Sequence, residues 1–274
     1  MNEMNFSINE YNKKKLEAFQ SGQFSLKSKR KEWKSVMFLK SSGQSANLFL
    51  VQDETKQAIA KLYKQGLDKK SFDIISRLEN NVFTENFLDL CQVQIDGYYF
   101  TFVVFSQIKY THHYIPYFLT CEKAREQLLE ALDYIHSLNI LHNDLTCSNI
   151  MMNIVGDQAR LVLVDFQFAV DFDSKCFFDG MGVVPEFKHP LMWVDPKYFD
   201  KNIDKWSGMC ALYKIFFDSI LFKSKVLNRY FYTCRADKIF VFYINVVLAR
   251  KYYLIENVDL NRIEFFDILS QYFV

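Results

Sequence analysis

Asp144, Asn149 and Asp165 lie in the stretch Ala131–Phe166, ALDYIHSLNILHNDLTCSNIMMNIVGDQARLVLVDF, around two short apolar runs with a helix-like lead-in. Two carboxylates and one amide supply hard and neutral oxygen ligands. That set suits Mg²⁺, which takes few protein ligands and keeps several waters. The same groups can steer an acceptor hydroxyl toward the terminal phosphate of a nucleoside triphosphate. Asp144 is the candidate to accept the hydroxyl proton, help typically worth about a hundred- to ten-thousand-fold in rate. The chemistry these residues point to is phosphoryl transfer.

Such a constellation needs elements to hold it. Residues 1–32 are polar and lysine-rich, with clusters at Lys13–Lys15 and Lys27–Lys34, and read as a helical or loose lead-in with a solvated basic face. From Trp33 the pattern changes. Val36–Leu39, Leu48–Val51 and Ala58–Tyr63 are short apolar runs separated by SSGQS and DETK, a strand–turn–strand–turn–strand reading. Helical spacing follows over Lys69–Asn80, then strands over Phe87–Val93 and Tyr98–Phe105, with Asp96-Gly97 as a hairpin turn. After Thr111 the helical period dominates. Cys121–Leu138 carries Ala124, Leu128, Leu129, Leu132 and Ile135 on one face, a buried amphipathic helix leading into the site. Ile140–His142 and Ile150–Asn153 flank the catalytic candidate, Arg160–Asp165 reads as another strand, and helices follow from Asp204. A β-rich first part and an α-rich second part predict two lobes joined near Ser106–Thr111.

Bulk properties agree with a folded enzyme. At 274 residues the chain can bury a substantial core, and 24% charged residues argues against disorder. A net charge of +1 gives no reason to expect nucleic acid as a partner. The six cysteines are scattered without a C-x-x-C pair, which predicts small buried thiols in a reducing compartment rather than disulfides or zinc. The longest apolar stretch, Ile239–Ala249, is broken by Asn245 and is about half of what a membrane span needs. An intracellular, cytoplasmic protein with no integral membrane segment is the expectation.

The catalytic candidates resemble the motifs of eukaryotic-type protein kinases. In the pattern H-R-D-x-x-x-x-N the chain supplies His142, Asn143, Asp144 and Asn149; in D-F-G it supplies Asp165, Phe166 and Gln167. The resemblance extends over roughly residues 33–220 and includes AIAK, ending at Lys61, and IDKWSGMCALYKIFF, in which Asp204 and Trp206 match D-x-W. It implies an α+β, bilobal fold with a small β-rich N-lobe and a larger α-helical C-lobe, the domain running over 33–274 after the lead-in. It implies ATP and Mg²⁺ as cofactors, with Asn149 and Asp165 as metal ligands. Lys61 would bind the α- and β-phosphates, and its ion-pair partner would come from the following helix, with Glu79 preferred and Glu85 the alternative. Gly43 would stand in the phosphate-covering loop, where one glycine replaces the family's three. Asp204 would buttress the catalytic-loop backbone, and His142 would pack beneath it.

Departures from the family pattern bear on function. Asn143 replaces the arginine that binds a phosphorylated activation segment, so control by that phosphorylation is not expected. Thr146 stands where serine/threonine kinases carry a lysine. Ile59 takes the place of a small alanine beside the adenine, and Gln167 that of a glycine. Two segments, Val184–Glu186 and Val194–Pro196, can stand in for A-P-E. The expected activity is transfer of the γ-phosphate of ATP to a protein hydroxyl, of serine or threonine. A kinase of the same fold acting on a small molecule or glycan is the alternative, and a nucleotide-binding pseudokinase scaffold the third reading.

Overall fold

The computed structural model describes residues 19, 24–29, 31–42, 46–63, 67, 69–78, 81–95, 98–172, 187 and 200–218. The chain divides into two compact units, Met1–Asn81 with Glu85–Gln107, and Val82–Thr84 with Ile108–Val274.

The first unit is built on a six-stranded sheet: β1 (Ser25–Lys27), β2 (Glu32–Ser42), β3 (Ala46–Gln52), β4 (Gln57–Tyr63), β5 (Phe87–Ile95) and β6 (Tyr98–Ser106). The order is β1-β2-β3-β4-β6-β5, with every described neighbour antiparallel. Period-two alternation sets the faces. Phe49 and Val51 of β3, Ala58, Ala60 and Leu62 of β4, and Phe102 and Val104 of β6 join Phe19, Leu26, Trp33 and Cys91 in one buried cluster. Aromatic rings dominate it: Phe19 lies 5.1–6.4 Å from the rings of Phe24, Phe49, Phe100 and Phe102, edge to face. The sheet's edge strands are tied through Asp89, which accepts from Ser28 Oγ at 2.6 Å and from Trp33 Nε1 at 3.0 Å. Helix α1 (Lys69–Ser76) buries Ile74 and Ile75.

For the strand at Ser25–Lys27 this corrects the reading of residues 1–32 as a helical or loose lead-in. Ser25–Lys27 is a strand, and Phe19 and Leu26 are core residues at 3% and 0% exposure. The alternation there is only three residues long and is flanked by lysines, too short to outweigh the polar composition around it. Of the basic residues, Lys27 is 75% exposed and Lys31 pairs with Asp53 at 2.8 Å, as a solvated face requires.

The second unit holds α2 (Ile115–Phe118), α3 (Cys121–Ser137), β7 (Ile140–Leu141), β8 (Ile150–Val155), β9 (Gln158–Leu163), β10 (Val170–Asp171) and α4 (Asn202–Phe217). Thr120 caps α3, its side chain accepting from the Lys123 N–H at 3.2 Å. Of the predicted apolar face, Ala124, Leu128, Leu132 and Ile135 are buried, whereas Leu129 is only half-buried and Ala131 joins the buried side in its place. Helix α4 is buried from Trp206 through Tyr213 and packs on α3. Gly208 permits that approach, because a Cβ there would meet Leu128 Cδ2 at 2.9 Å. Strands β8 and β9 form an antiparallel hairpin, turning at Gly156 with φ +62°.

Candidate active site

Asp204 organises the loop between β7 and β8. Fully buried near the start of α4, it accepts the backbone N–H of His142 at 2.8 Å and of Asn143 at 2.9 Å. Its Oδ2 also meets His136 Nε2 of α3 at 2.9 Å. Burial alone would raise this carboxyl's pKa. The hydrogen bond and charge of His136, aided by His142 and the Asn143 amide, outweigh burial and hold it below the usual carboxylate range. The buttressing role expected of Asp204 is borne out. His136 is its partner, and one histidine on an amphipathic helix carries no local signal of that in the sequence.

With its N–H held, Asn143 adopts φ +59°, a conformation in which asparagine is among the least strained non-glycine residues. The chain then reverses so that Asp144 and Asn149 face each other. Asn149 Nδ2 donates to the Asp144 carbonyl at 2.7 Å and to Asp144 Oδ2 at 3.1 Å. The amide's donor side is thereby engaged on Asp144, and its acceptor end, Oδ1, takes a long hydrogen bond from Ser148 Oγ at 3.5 Å. Between them, Thr146 Oγ1 and Ser148 Oγ share a hydrogen bond at 2.9 Å.

Asp165, at the end of β9, is tied to the same loop. His142 Nε2 meets the Val164 carbonyl at 3.0 Å, the Val164 N–H donates to the Asn149 carbonyl at 3.0 Å, and the His142 and Phe166 rings lie 4.6 Å apart. Asp165 has φ +67°, so the backbone turns at the carboxylate. Burial and the nearby Asp165 charge push the Asp144 carboxyl up to about 7, against an opposing hydrogen bond from Asn149. Asp144 Oδ1 is a buried atom with no hydrogen-bond donor. A buried carboxyl whose proton affinity is raised by burial and a neighbouring acidic group, beside an amide oxygen, fits a divalent cation, which would offset that crowding of negative charge.

In the first unit, Lys61 of β4 is 6% exposed and its Nζ lies 2.8 Å from Glu85 Oε1. Lys61 also sits 4.8 Å from the Phe105 ring centroid. The carboxylate at the ammonium is therefore Glu85, the alternative, and it comes from an extended segment rather than a helix. Glu79, preferred on chain distance, lies outside the described residues, as do Gly43, the Asp96-Gly97 turn and both A-P-E candidates. Phe187, just past Val184–Glu186, is buried, and its carbonyl accepts from Ser207 Oγ of α4 at 2.7 Å. No group of three His, Cys, Asp or Glu forms a metal cluster among the described residues, and the His112 and His113 ring centroids lie 4.0 Å apart at a tilt of 38°.

A family model described as protein kinase domain matches residues 41–267. The chain belongs to the protein kinase domain family. Its curated relatives include the mitogen-activated protein kinase mpk-1 of Caenorhabditis elegans, 32% identical over 43% of this chain and 25% of the relative. A probable casein kinase II subunit alpha homolog of Encephalitozoon cuniculi is 33% identical over 33% of this chain and 28% of the relative. The serine/threonine-protein kinase ULK3 of Xenopus laevis is 35% identical over 36% and 21%. Each alignment thus spans less than a third of the relative's own length. Family membership carries a phosphotransferase fold of two lobes, in keeping with the sheet-built first unit and the later helices. No helix among the described residues is long and apolar enough to cross a membrane.

Proposed function

We propose that this protein kinase transfers the γ-phosphate of ATP to a protein hydroxyl, of serine or threonine. The observation that carries the reading is the Asp144–Asn149 pair. A buried carboxylate with one engaged and one orphan oxygen stands beside an amide that presents its acceptor end, with Asp165 close enough to raise the carboxyl's pKa. Asp144 accepts the proton of the acceptor hydroxyl and orients it. Asn149 and Asp165 hold Mg²⁺, which when bound offsets charge on the phosphate oxygens. Lys61 supplies a point charge for the α- and β-phosphates. The compartment expected for such an enzyme is the cytoplasm.

A second reading, a small-molecule or glycan acceptor, has one observation in its favour. Where serine/threonine kinases carry a lysine, Thr146 is 8% exposed and hydrogen-bonds Ser148. Labelled ATP with Mg²⁺, offered protein, peptide and saccharide acceptors in parallel, separates the readings. Label in protein or peptide supports the first, and label only in saccharide or metabolite the second. Nucleotide binding with no transfer to any acceptor would support the pseudokinase scaffold and overturn both.

A further inference from the structure

We propose that the aromatic face built from Tyr110, Tyr114, Tyr117 and Phe118 recognises the acceptor, and that it selects protein segments carrying a large apolar side chain in acidic surroundings a few residues from the phosphorylated hydroxyl. The inference rests on the kinase reading above and deepens it, because it names the class of substrate.

Single exposed apolar residues are ordinary on a protein surface, whereas a contiguous group of them marks an interaction site. Tyr114, Tyr117 and Phe118 are 49%, 84% and 48% exposed. Two of these rings rest on a fourth: the Tyr110 centroid lies 5.6 Å from that of Tyr114 and 5.8 Å from that of Phe118. The face is held from beneath. Ile115, between the exposed rings, is fully buried, and α2 packs on α4.

Backbone pairing sets the distance from this face to the reacting groups. The Tyr110 N–H donates to the Met152 carbonyl at 3.2 Å, and the Met152 N–H returns a bond to the Tyr110 carbonyl at 2.8 Å. Met152 stands on β8, which begins directly after Asn149, the partner of Asp144. Three residues of extended chain span about 10 Å, and crossing to a hydrogen-bonded partner adds about 5.5 Å. A protein segment with its hydroxyl at Asp144 covers that distance in about three to five residues. The loop turn Cys147–Asn149 also packs on α4, so the loop and the aromatic face share one support.

Charge sets the rest of the preference. Between Ser106 and Cys121 the chain carries no carboxylate. Lys109, next to Tyr110, is exposed and has no ion-pair partner among the described residues. The next carboxylate along the chain, Glu122, lies beyond the Thr120 cap on α3. An acceptor with aspartate or glutamate beside its apolar anchor finds a partner here, and one with lysine or arginine meets a like charge.

The test measures phosphate transfer by the whole chain, with Mg²⁺ and labelled ATP, to synthetic peptides holding one serine. Phenylalanine is placed at successive positions on either side of the serine, flanked by glutamate or by arginine, with alanine at the same place as the control. Phenylalanine about three to five residues away, flanked by glutamate, is expected to lower the peptide KM at least about fivefold, and arginine flanks to cancel most of that gain. Tyr117→Ser and Phe118→Ser are expected to abolish the preference for phenylalanine while KM for ATP stays within about twofold. A general loosening of the fold would move both constants. Lys109→Gln is expected to remove the preference for glutamate over arginine and keep that for phenylalanine. The inference is overturned if no placement of phenylalanine lowers KM, or if both serine variants keep the parent's preference; in either case the kinase reading stands. It is also overturned if those variants slow transfer to saccharide acceptors alone, or if they abolish a concentration-dependent dimer and leave peptide KM as it was. A parent protein that phosphorylates no acceptor overturns the kinase reading itself, and this inference falls with it.

Discussion

Asp204 carries more of the site than its distance from the reacting groups suggests. It accepts two adjacent backbone N–H groups in a fully buried place, so Asp204→Ala takes an acceptor from each, at about 1–3 kcal/mol apiece. We expect a loss of about 2–5 kcal/mol on urea denaturation, and turnover lost with it because the loop is no longer pinned. The pH dependence has a definite sign. The folded-state pKa of Asp204 is depressed, so its contribution to stability is present above the unfolded value near 4. It is lost as pH falls through the folded pKa. Wild type should therefore lose more stability than Asp204→Asn between pH 5 and pH 2, followed by chemical denaturation. For Asp144, in its proposed role as base, the raised pKa predicts protonation in acid, so kcat should fall as pH drops below about 7, with the limb shifted lower by bound cation. Asp144→Asn should retain nucleotide binding and lose at least about a hundredfold in kcat. The trio Asp144, Asn149 and Asp165 was legible because its spacing is local: a short loop and one hairpin fix where the three can go. The counter-ion of Lys61 was not, because several carboxylates lie at suitable distances along the chain and only the return of β5 beside β6 selects one.

At the level of elements, periodicity anticipated β2 to β6, α1, α3 and the apolar run of α4, since each has a face long enough to show its period. It missed β1, where three residues cannot, and it gave no warning of the closeness of α3 and α4. Gly208 tests that closeness. Alanine there gains about 1 kcal/mol of helix propensity, but its Cβ would meet Leu128 at 2.9 Å in a filled core, where overpacking costs about 1–3 kcal/mol. The net expectation is a loss of about 1 kcal/mol. Combined with Leu128→Val, the loss should be smaller than the sum of the single changes, a coupling readable in a double-mutant cycle. Asp89 is the corresponding point in the sheet. Asp89→Ala strands the buried Trp33 indole N–H, and a loss of about 1–3 kcal/mol is expected by thermal or urea denaturation.

For the molecule as a whole, the division into a sheet-built and a helix-bearing unit followed from the change of period after Thr111. The start of the sheet did not follow, and that has a practical result. The family match begins at residue 41, while Phe19, Leu26 and Trp33 fill the middle of the aromatic cluster and β1 borders the sheet. Removing residues 1–40 would take away β1 and most of β2, leaving β3 as a strand edge with unanswered amides beside uncovered phenylalanines. Such an edge invites pairing with another chain. A version of this kinase cut where homology starts should precipitate or form oligomers on a sizing column, although every catalytic residue is still in it. For this chain the minimum that folds is longer than the minimum that resembles.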